Sequence, residues 1–276
     1  MINEIFPNQL NTQYDALKEI NDSDYVLHYN ARSILLKVKG ETLEIPQKKD
    51  IPNLTDQNEL VYLFRLNDKA CFLIKEHFDM DNLSLAYHDV NIFRTLKQEK
   101  GWVCLLGFQL HNWYQNHQFC GKCGAPTQHK TDERALLCPS CQNTIYPSIS
   151  PAIIVAIICN ENILLARGAK WPDGRFSLVA GYTDVGESLE ETVIREVKEE
   201  VGIDIKNIRY YKNHPWPLSG SLMVGFVAEA DDQQPIIIDD KEIAEAAWFS
   251  KENLPPHSPE ISISGEMIDR FRKGEL

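Results

Sequence analysis

Gly181-Tyr182-Thr183-Asp184-Val185-Gly186-Glu187 and, seven residues further on, Arg195-Glu196-Val197-Lys198-Glu199-Glu200-Val201-Gly202-Ile203 form the stretch from which the fold is read. Between them Ser188-Leu189-Glu190-Glu191 is a capping box, whose hydroxyl and third-position carboxylate satisfy N–H groups orphaned in the first turn of a helix. Gly202 is placed to end that helix. At about 100° per residue, Glu196, Glu199 and Glu200 share one arc, a turn apart. Val193, Ile194, Val197 and Val201 centre on the neighbouring arc, which predicts a helix that buries one flank and lines a cleft with its carboxylates.

Local stability does not choose this arrangement. The carboxylates crowd the last turn, where the helix dipole favours cations, and the 196/200 pair repels by about 0.3 kcal/mol. A divalent cation reverses both penalties, because hard Mg²⁺ or Mn²⁺ takes carboxylate oxygens and keeps waters for phosphate contact. A metal site is therefore expected at this helix.

Outward from the helix, Ala152 to Ile158, Asn162 to Arg167 and Phe176 to Ala180 read as strands before it. Asn207 to Tyr211, Leu222 to Ala228 and Ala246 to Phe249 read as strands after it, with a last helix from Ser264 to Lys273. Upstream, short apolar runs such as Ile34-Leu35-Leu36 and Val61-Tyr62-Leu63-Phe64 predict a mostly β block, followed by a helix from Val103 to His117. The expected fold class is α+β, in three parts: a mostly β block over 1–117, a cysteine-bearing segment over 118–147, and a mixed-sheet α/β/α sandwich over 148–276.

The chain has 276 residues, 43% hydrophobic and 25% charged, which is globular composition. Its longest strongly apolar run, Pro151 to Cys159, is nine residues, against roughly 20 needed to span a bilayer. No membrane association is expected. The start of the sequence has no basic region followed by an apolar run, so a cytoplasmic location is expected. With 28 Lys+Arg against 40 Asp+Glu the net charge is −12, which argues against extensive contact with a phosphate backbone.

Of seven cysteines, four form Cys120-x-x-Cys123 and Cys138-x-x-Cys141, while Cys71, Cys104 and Cys159 stand alone. An odd total fits reduced thiols better than a disulfide framework. Two such pairs present four thiolates to one tetrahedral Zn²⁺, and a closed four-sulfur shell leaves no position for water. A single structural zinc is expected.

The acidic stretch resembles the Nudix box, G-x5-E-x7-R-E-U-x-E-E-x-G-U with U apolar, at every defined position. The resemblance implies that Glu196 and Glu200 are metal ligands, that Glu199 is a metal or water-orienting carboxylate, and that Arg195 and Glu187 hold the cluster. Downstream, Asn213-His214-Pro215-Trp216-Pro217-Leu218-Ser219-Gly220-Ser221-Leu222-Met223 is similar to the S-Q-P-W-P-F-P-x-S-L-M signature of NADH pyrophosphatases. Two prolines around a tryptophan restrict a loop and present an aromatic plane at little ordering cost. Asn213, His214, Leu218 and Ser219 depart from that signature. Tyr146 and Tyr182 match family positions whose rings sandwich adenine. Asp239-Asp240-Lys241-Glu242 stands where the family has D-P-K-E, which implies Glu242 as a further metal ligand. Ala180 matches a carbonyl ligand to the metal, and Glu133 and Ser264 match substrate contacts.

The resemblance implies a zinc-containing, Mg²⁺- or Mn²⁺-dependent homodimeric hydrolase. Its expected reaction splits the pyrophosphate of NADH or NAD⁺ into NMN(H) and AMP, and it extends to removing NAD caps from RNA 5′ ends. ADP-ribose or another dinucleotide as main substrate is the rival enzymatic reading. A nucleotide-sensing module without turnover is the non-enzymatic one.

Overall fold

The computed structural model describes residues 1–52, 54, 59–75, 84–231, 234–238, 240–257 and 261–276. The chain divides into two compact units. The N-terminal unit comprises 3–148 together with 217–219, and the C-terminal unit comprises 1–2, 149–216 and 220–276.

In the C-terminal unit the longest apolar run becomes the central strand β1 (Ser150–Cys159), followed by β2 (Asn162–Gly168) and β3 (Val179–Tyr182). Strands β4 (Ile205–Trp216), β5 (Ser221–Ala230) and β6 (Ile243–Ser250) complete a sheet ordered β4-β5-β1-β2-β6, with β3 also on β1. β1 runs parallel to β5 from Ser150, opposite Ser221, to Ile158, opposite Glu229. On its other edge β1 pairs first with β3 (Ala152 opposite Tyr182) and then with β2 (Cys159 opposite Asn162), both antiparallel.

Strand residues alternate between faces, which explains why β1 is apolar throughout. Ile153, Val155 and Ile157 pack with Val193, Val197 and Val201 of the helix Leu189–Val201. Ile154 and Ala156 pack with Met267, Ile268 and Phe271 of the helix Ile263–Lys273. The sheet is thus covered on both faces, as the expected α/β/α sandwich requires.

The N-terminal unit is mostly β. One sheet is ordered Leu10–Asn11, Leu60–Leu66, Lys69–Ile74, Tyr25–Leu27. A second pairs Ser33–Lys39 with Tyr29–Asn30, Thr42–Glu44 and Leu85–Asp89. We call the helix Gln98–Asn116 α1, Leu189–Val201 α2 and Ile263–Lys273 α3. α1 begins five residues before the predicted start at Val103, within a run that the apolar spacing alone does not delimit. Three two-residue strands, Gln128–His129, Leu136–Leu137 and Thr144–Ile145, form the small antiparallel sheet of the cysteine segment. Among the described residues no helix is long and apolar enough to cross a membrane.

Two expectations are corrected. Ile194 lies on the outer side of α2 and is 51% exposed, since one residue beyond Val193 turns it about 100° out of the packed arc. The stretch Asn213–Trp216 is not loop but the end of β4. β4 is a sheet edge, where Pro215 is tolerated because an edge residue can lack an N–H without breaking an inner ladder.

Candidate active site and zinc centre

The capping box and the terminal glycine set where α2 starts and stops. Ser188 Oγ accepts from Glu191 N–H, the Glu191 carboxylate accepts from Ser188 N–H, and Gly202 closes the helix at φ 73°. That registration carries Glu196 and Glu200 into the packed arc beside the valines, each 9% exposed. Glu199, turned away from them, is exposed. The acidic cluster is therefore two buried carboxylates and one at the rim.

Arg195 organises the cluster. Its Nε and Nη2 donate to Glu187 Oε1 and Oε2 at 2.6 and 2.9 Å, a fork on a carboxylate. Its Nη1 donates to Glu196 at 2.8 Å and to Glu199 at 3.0 Å, and Nη2 also donates to the Tyr182 carbonyl at 2.9 Å. Thr192 Oγ1 and Asp184 N–H donate to Glu187, each at 3.0 Å. The Arg195 fork, with those donors, holds the Glu187 carboxyl down to about 2.

Glu200 has no such compensation. Among the described residues its carboxylate makes no hydrogen bond or ion pair. Burial first, then the negative charges of Glu196, Glu242 and Glu199, push its pKa up to about 8. Burial also raises Glu196, against the opposing pull of Arg195. Glu200, buried and repelled by its neighbours with no cation of its own, suits a hard divalent cation, and carboxylate oxygens are donors that fit Mg²⁺ or Mn²⁺. Among the described residues only the four cysteines already bring three or more ligand atoms within 4.8 Å of one another.

Gly181 explains the first position of the motif. A Cβ there would collide with the Glu196 carboxyl carbon and both its oxygens, so glycine leaves room for the Arg195-held carboxylate to lie on β3, and a side chain would push it aside. Ala180 precedes it on β3, opposite Ile154. Glu242 stands exposed just before β6, and its charge reaches Glu196 and Glu200. Asp239 of the same run lies outside the described residues.

In the Trp-containing segment, Trp216 pairs with Ser221, so residues 217–220 form the turn between β4 and β5, with Gly220 at φ 66°. Ser221 Oγ donates to Tyr182 Oη at 3.2 Å, which ties this hairpin to β3 and, through the Tyr182 carbonyl, to Arg195. His214 is fully buried, its ring 5.5 Å from that of Trp216. Ser264, in the first turn of α3, is buried with its hydroxyl 2.7 Å from that of Ser177. Pro217, Leu218 and Ser219 group with the N-terminal unit. That unit also holds Tyr146, whose exposed ring carries a hydroxyl that donates to Glu133 at 3.1 Å. Glu133 is also held by Lys130 at 2.5 Å.

The four paired cysteines converge: their sulfurs all lie within 4.8 Å of one another, with Cys120–Cys141 at 3.7 Å and Cys123–Cys138 at 3.4 Å. A tetrahedral zinc with Zn–S bonds of about 2.3 Å places its sulfurs about 3.8 Å apart. Each knuckle ends in a left-handed residue, Gly124 at φ 75° and Gln142 at φ 59°, whose N–H bonds back to the carbonyl of Cys120 or Cys138. Lys122 N–H, aimed at Cys120 Sγ at 3.4 Å, lowers that thiol to about 6 and so favours the thiolate a metal needs. This is a zinc-binding centre.

Sequence reasoning did not assign Thr192 its part in holding Glu187, nor give a reason for Gly181. Thr192 stands one turn before Glu196, a position a helical wheel could have placed beside the carboxylates. The contact of Gly181 is between distant segments and has no local signal.

A sheet between two helices, with an arginine-clamped carboxylate helix on one face, defines a hydrolase domain of the Nudix type. Residues 149–271 match the NUDIX domain, and residues 115–146 match the NADH pyrophosphatase zinc ribbon domain. A relative described as NAD-capped RNA hydrolase NudC, from Salmonella typhi, is 42% identical over 185 residues, covering 66% of this chain and 72% of its own length. The relative of the same description from Salmonella typhimurium gives the same figures. A solved NUDIX hydrolase from Nitrosomonas europaea superposes with a TM-score of 0.49 at 20% identity, covering 56% of this chain and 91% of its own. The chain belongs to the Nudix hydrolases and carries the zinc ribbon of their NADH pyrophosphatase branch.

Proposed function

We propose that this protein hydrolyses the pyrophosphate of NADH and NAD⁺ to NMN(H) and AMP, and removes the NAD cap from RNA 5′ ends. The relatives are described as NAD-capped RNA hydrolases, which supports the substrate class. The observation that carries the reaction is Glu200: a buried carboxylate beside Glu196 and within reach of Glu242's charge, with no cation of its own.

Glu196, Glu200, Glu242 and the Ala180 carbonyl would hold Mg²⁺ or Mn²⁺. The ion supplies charge that neutralises the diphosphate oxygens and acidifies the attacking water. Arg195, itself held by Glu187, fixes Glu196 and Glu199 in place, and Glu199 at the rim orients the water. Water attacks one phosphorus, the bridging P–O bond breaks, and two phosphate monoesters leave. In the C-terminal unit Tyr182, as an adenine-stacking ring, with Ser264, His214, Pro215, Trp216, Gly220 and Ser221, and in the N-terminal unit Tyr146, likewise an adenine-stacking ring, with Glu133, Pro217, Leu218 and Ser219, are proposed as substrate contacts. The division into 1–117, 118–147 and 148–276, a homodimer and a cytoplasmic location belong to the same proposal.

The test follows AMP release from NADH with Mg²⁺ for the unmodified protein and for Glu200→Gln. Turnover lost in the variant supports the reading. Tight NADH binding without AMP from the unmodified protein would instead favour a sensor. The departures at Asn213, His214, Leu218 and Ser219 motivate a parallel assay on ADP-ribose, whose higher kcat/KM would shift the main substrate.

A further inference from the structure

The loop between β2 and β3 has no part in the site described so far. It runs Lys170-Trp171-Pro172-Asp173-Gly174-Arg175 and presents Trp171 40% exposed, with the Arg175 guanidinium carbon 5.2 Å from its ring centroid. An exposed aromatic sharing its surface with a cation is the surface on which nucleobases stack.

The loop is built to hold that pair. Trp171 N–H donates to the Gly168 carbonyl at 2.9 Å, and Arg175 N–H donates to the Pro172 carbonyl at 3.3 Å. Gly174, at φ 77°, takes the left-handed conformation that lets the turn close and brings Arg175 back towards Trp171. The indole lies on Gly168, where even a Cβ would come only to 3.4 Å of the ring. Arg167 pins the base of the loop through Asp173 at 3.3 Å and Glu245 at 3.5 Å.

Its position and charge point to a ligand. Ala169 N–H donates to the Glu242 carbonyl at 2.7 Å, so the loop is anchored at the acidic residue whose charge reaches Glu200. Trp171 is two positions on from Ala169, a Cα span of at most about 7 Å. Arg167 is neutralised, yet Lys170 and Arg175 have no ion pair among the described residues. In a chain of net charge −12, two cations without an ion pair flank an exposed indole beside the acidic centre.

We propose that Trp171 and Arg175 stack on the nucleobase that follows the cap adenosine in NAD-capped RNA, with Lys170 and Arg175 meeting the flanking phosphates. This rests on the reading that the protein acts on NAD-type pyrophosphates, and it names the device by which a capped RNA is held beyond its cap. NADH ends at the adenosine and has no following nucleobase for the loop to hold. Two phosphate contacts on a single strand give a salt slope of about −1.4, which agrees with the shallow dependence expected of an acidic chain.

The test measures kcat/KM with Mg²⁺ on NADH and on a short NAD-capped single-stranded RNA, for the unmodified protein, Trp171→Ala, Trp171→Phe and Arg175→Gln. Trp171→Ala is expected to lower the RNA value about 5- to 100-fold. NADH hydrolysis in the same variant stays within about twofold, which also reports that the variant is folded, and Trp171→Phe restores most of the RNA activity. Arg175→Gln is expected to flatten the salt slope for RNA by about 0.7. Equal losses on both substrates, or no loss on either, overturn the proposal. An unmodified protein that cleaves NADH but not capped RNA overturns it while the NADH reading stands; one that cleaves neither overturns both.

Discussion

Replacing Glu200 by Gln should stabilise the divalent-free protein at alkaline pH while abolishing turnover. In the fold this carboxyl titrates near 8, raised by burial and then by Glu196, Glu242 and Glu199, against an ordinary value of 4.5. A group whose folded pKa is raised contributes stability that is complete below 4.5 and is lost as pH rises through 8. The slope approaches about 1.4 kcal/mol per pH unit between those values, about 5 kcal/mol in all as a ceiling. Gln keeps the shape and carries no charge, so that loss disappears. Urea unfolding at pH 5, 7 and 9, in buffer stripped of Mg²⁺ and Mn²⁺ but without a chelator that would extract the ribbon zinc, reads the difference. The unmodified protein should weaken by a few kcal/mol, on the order of 2 to 5, relative to Glu200→Gln across that range. Adding Mg²⁺ to about 100 times its Kd should return about 2.7 kcal/mol to the unmodified protein and far less to the variant. Parallel pH profiles for the two proteins, or equal stabilisation by Mg²⁺, would refute the idea that Glu200 is a buried charge awaiting a cation.

Three further outcomes are expected. Gly181→Ala forces a methyl into the Glu196 carboxyl and should cost about 1 to 3 kcal/mol of stability. Steady-state assays on NADH should show its kcat falling at least tenfold, the carboxylate having been displaced. Arg195→Lys retains the charge but not the fork to Glu187, so kcat should drop about 10- to 100-fold with little change in KM; an unchanged kcat would deny Arg195 its positioning role. Cys138→Ser should lower zinc content, read by elemental analysis, from one ion per chain towards none, and should leave the 120–145 segment open to proteolysis while its thiols become titratable.

Helix α2 was legible because each of its signals is local. Ser188 and Glu191 cap it, Gly202 stops it, and the valines repeat with the period of a turn. The strands of the C-terminal unit were legible as apolar runs, but their ends were not. Ile205–Trp216 reads beyond Tyr211 through Asn213, His214 and Pro215, residues that become strand only because β5 offers them a partner. Ile194 was misplaced because a helical wheel gives relative angles, and only the sheet it packs on decides where the buried arc ends.

The sequence by itself determined the cluster's composition, the spacing of the two cysteine knuckles and the helix that carries the carboxylates, since each depends on residues a few positions apart. Tertiary structure alone decided that Glu196 and Glu200 are buried while Glu199 is not, that Gly181 must lack a side chain, and that Glu242 and the Trp171 loop are joined beside them. The physical reason is the same in each case. Desolvation and charge repulsion depend on which distant segments pack against a residue, and chain periodicity carries no record of that packing.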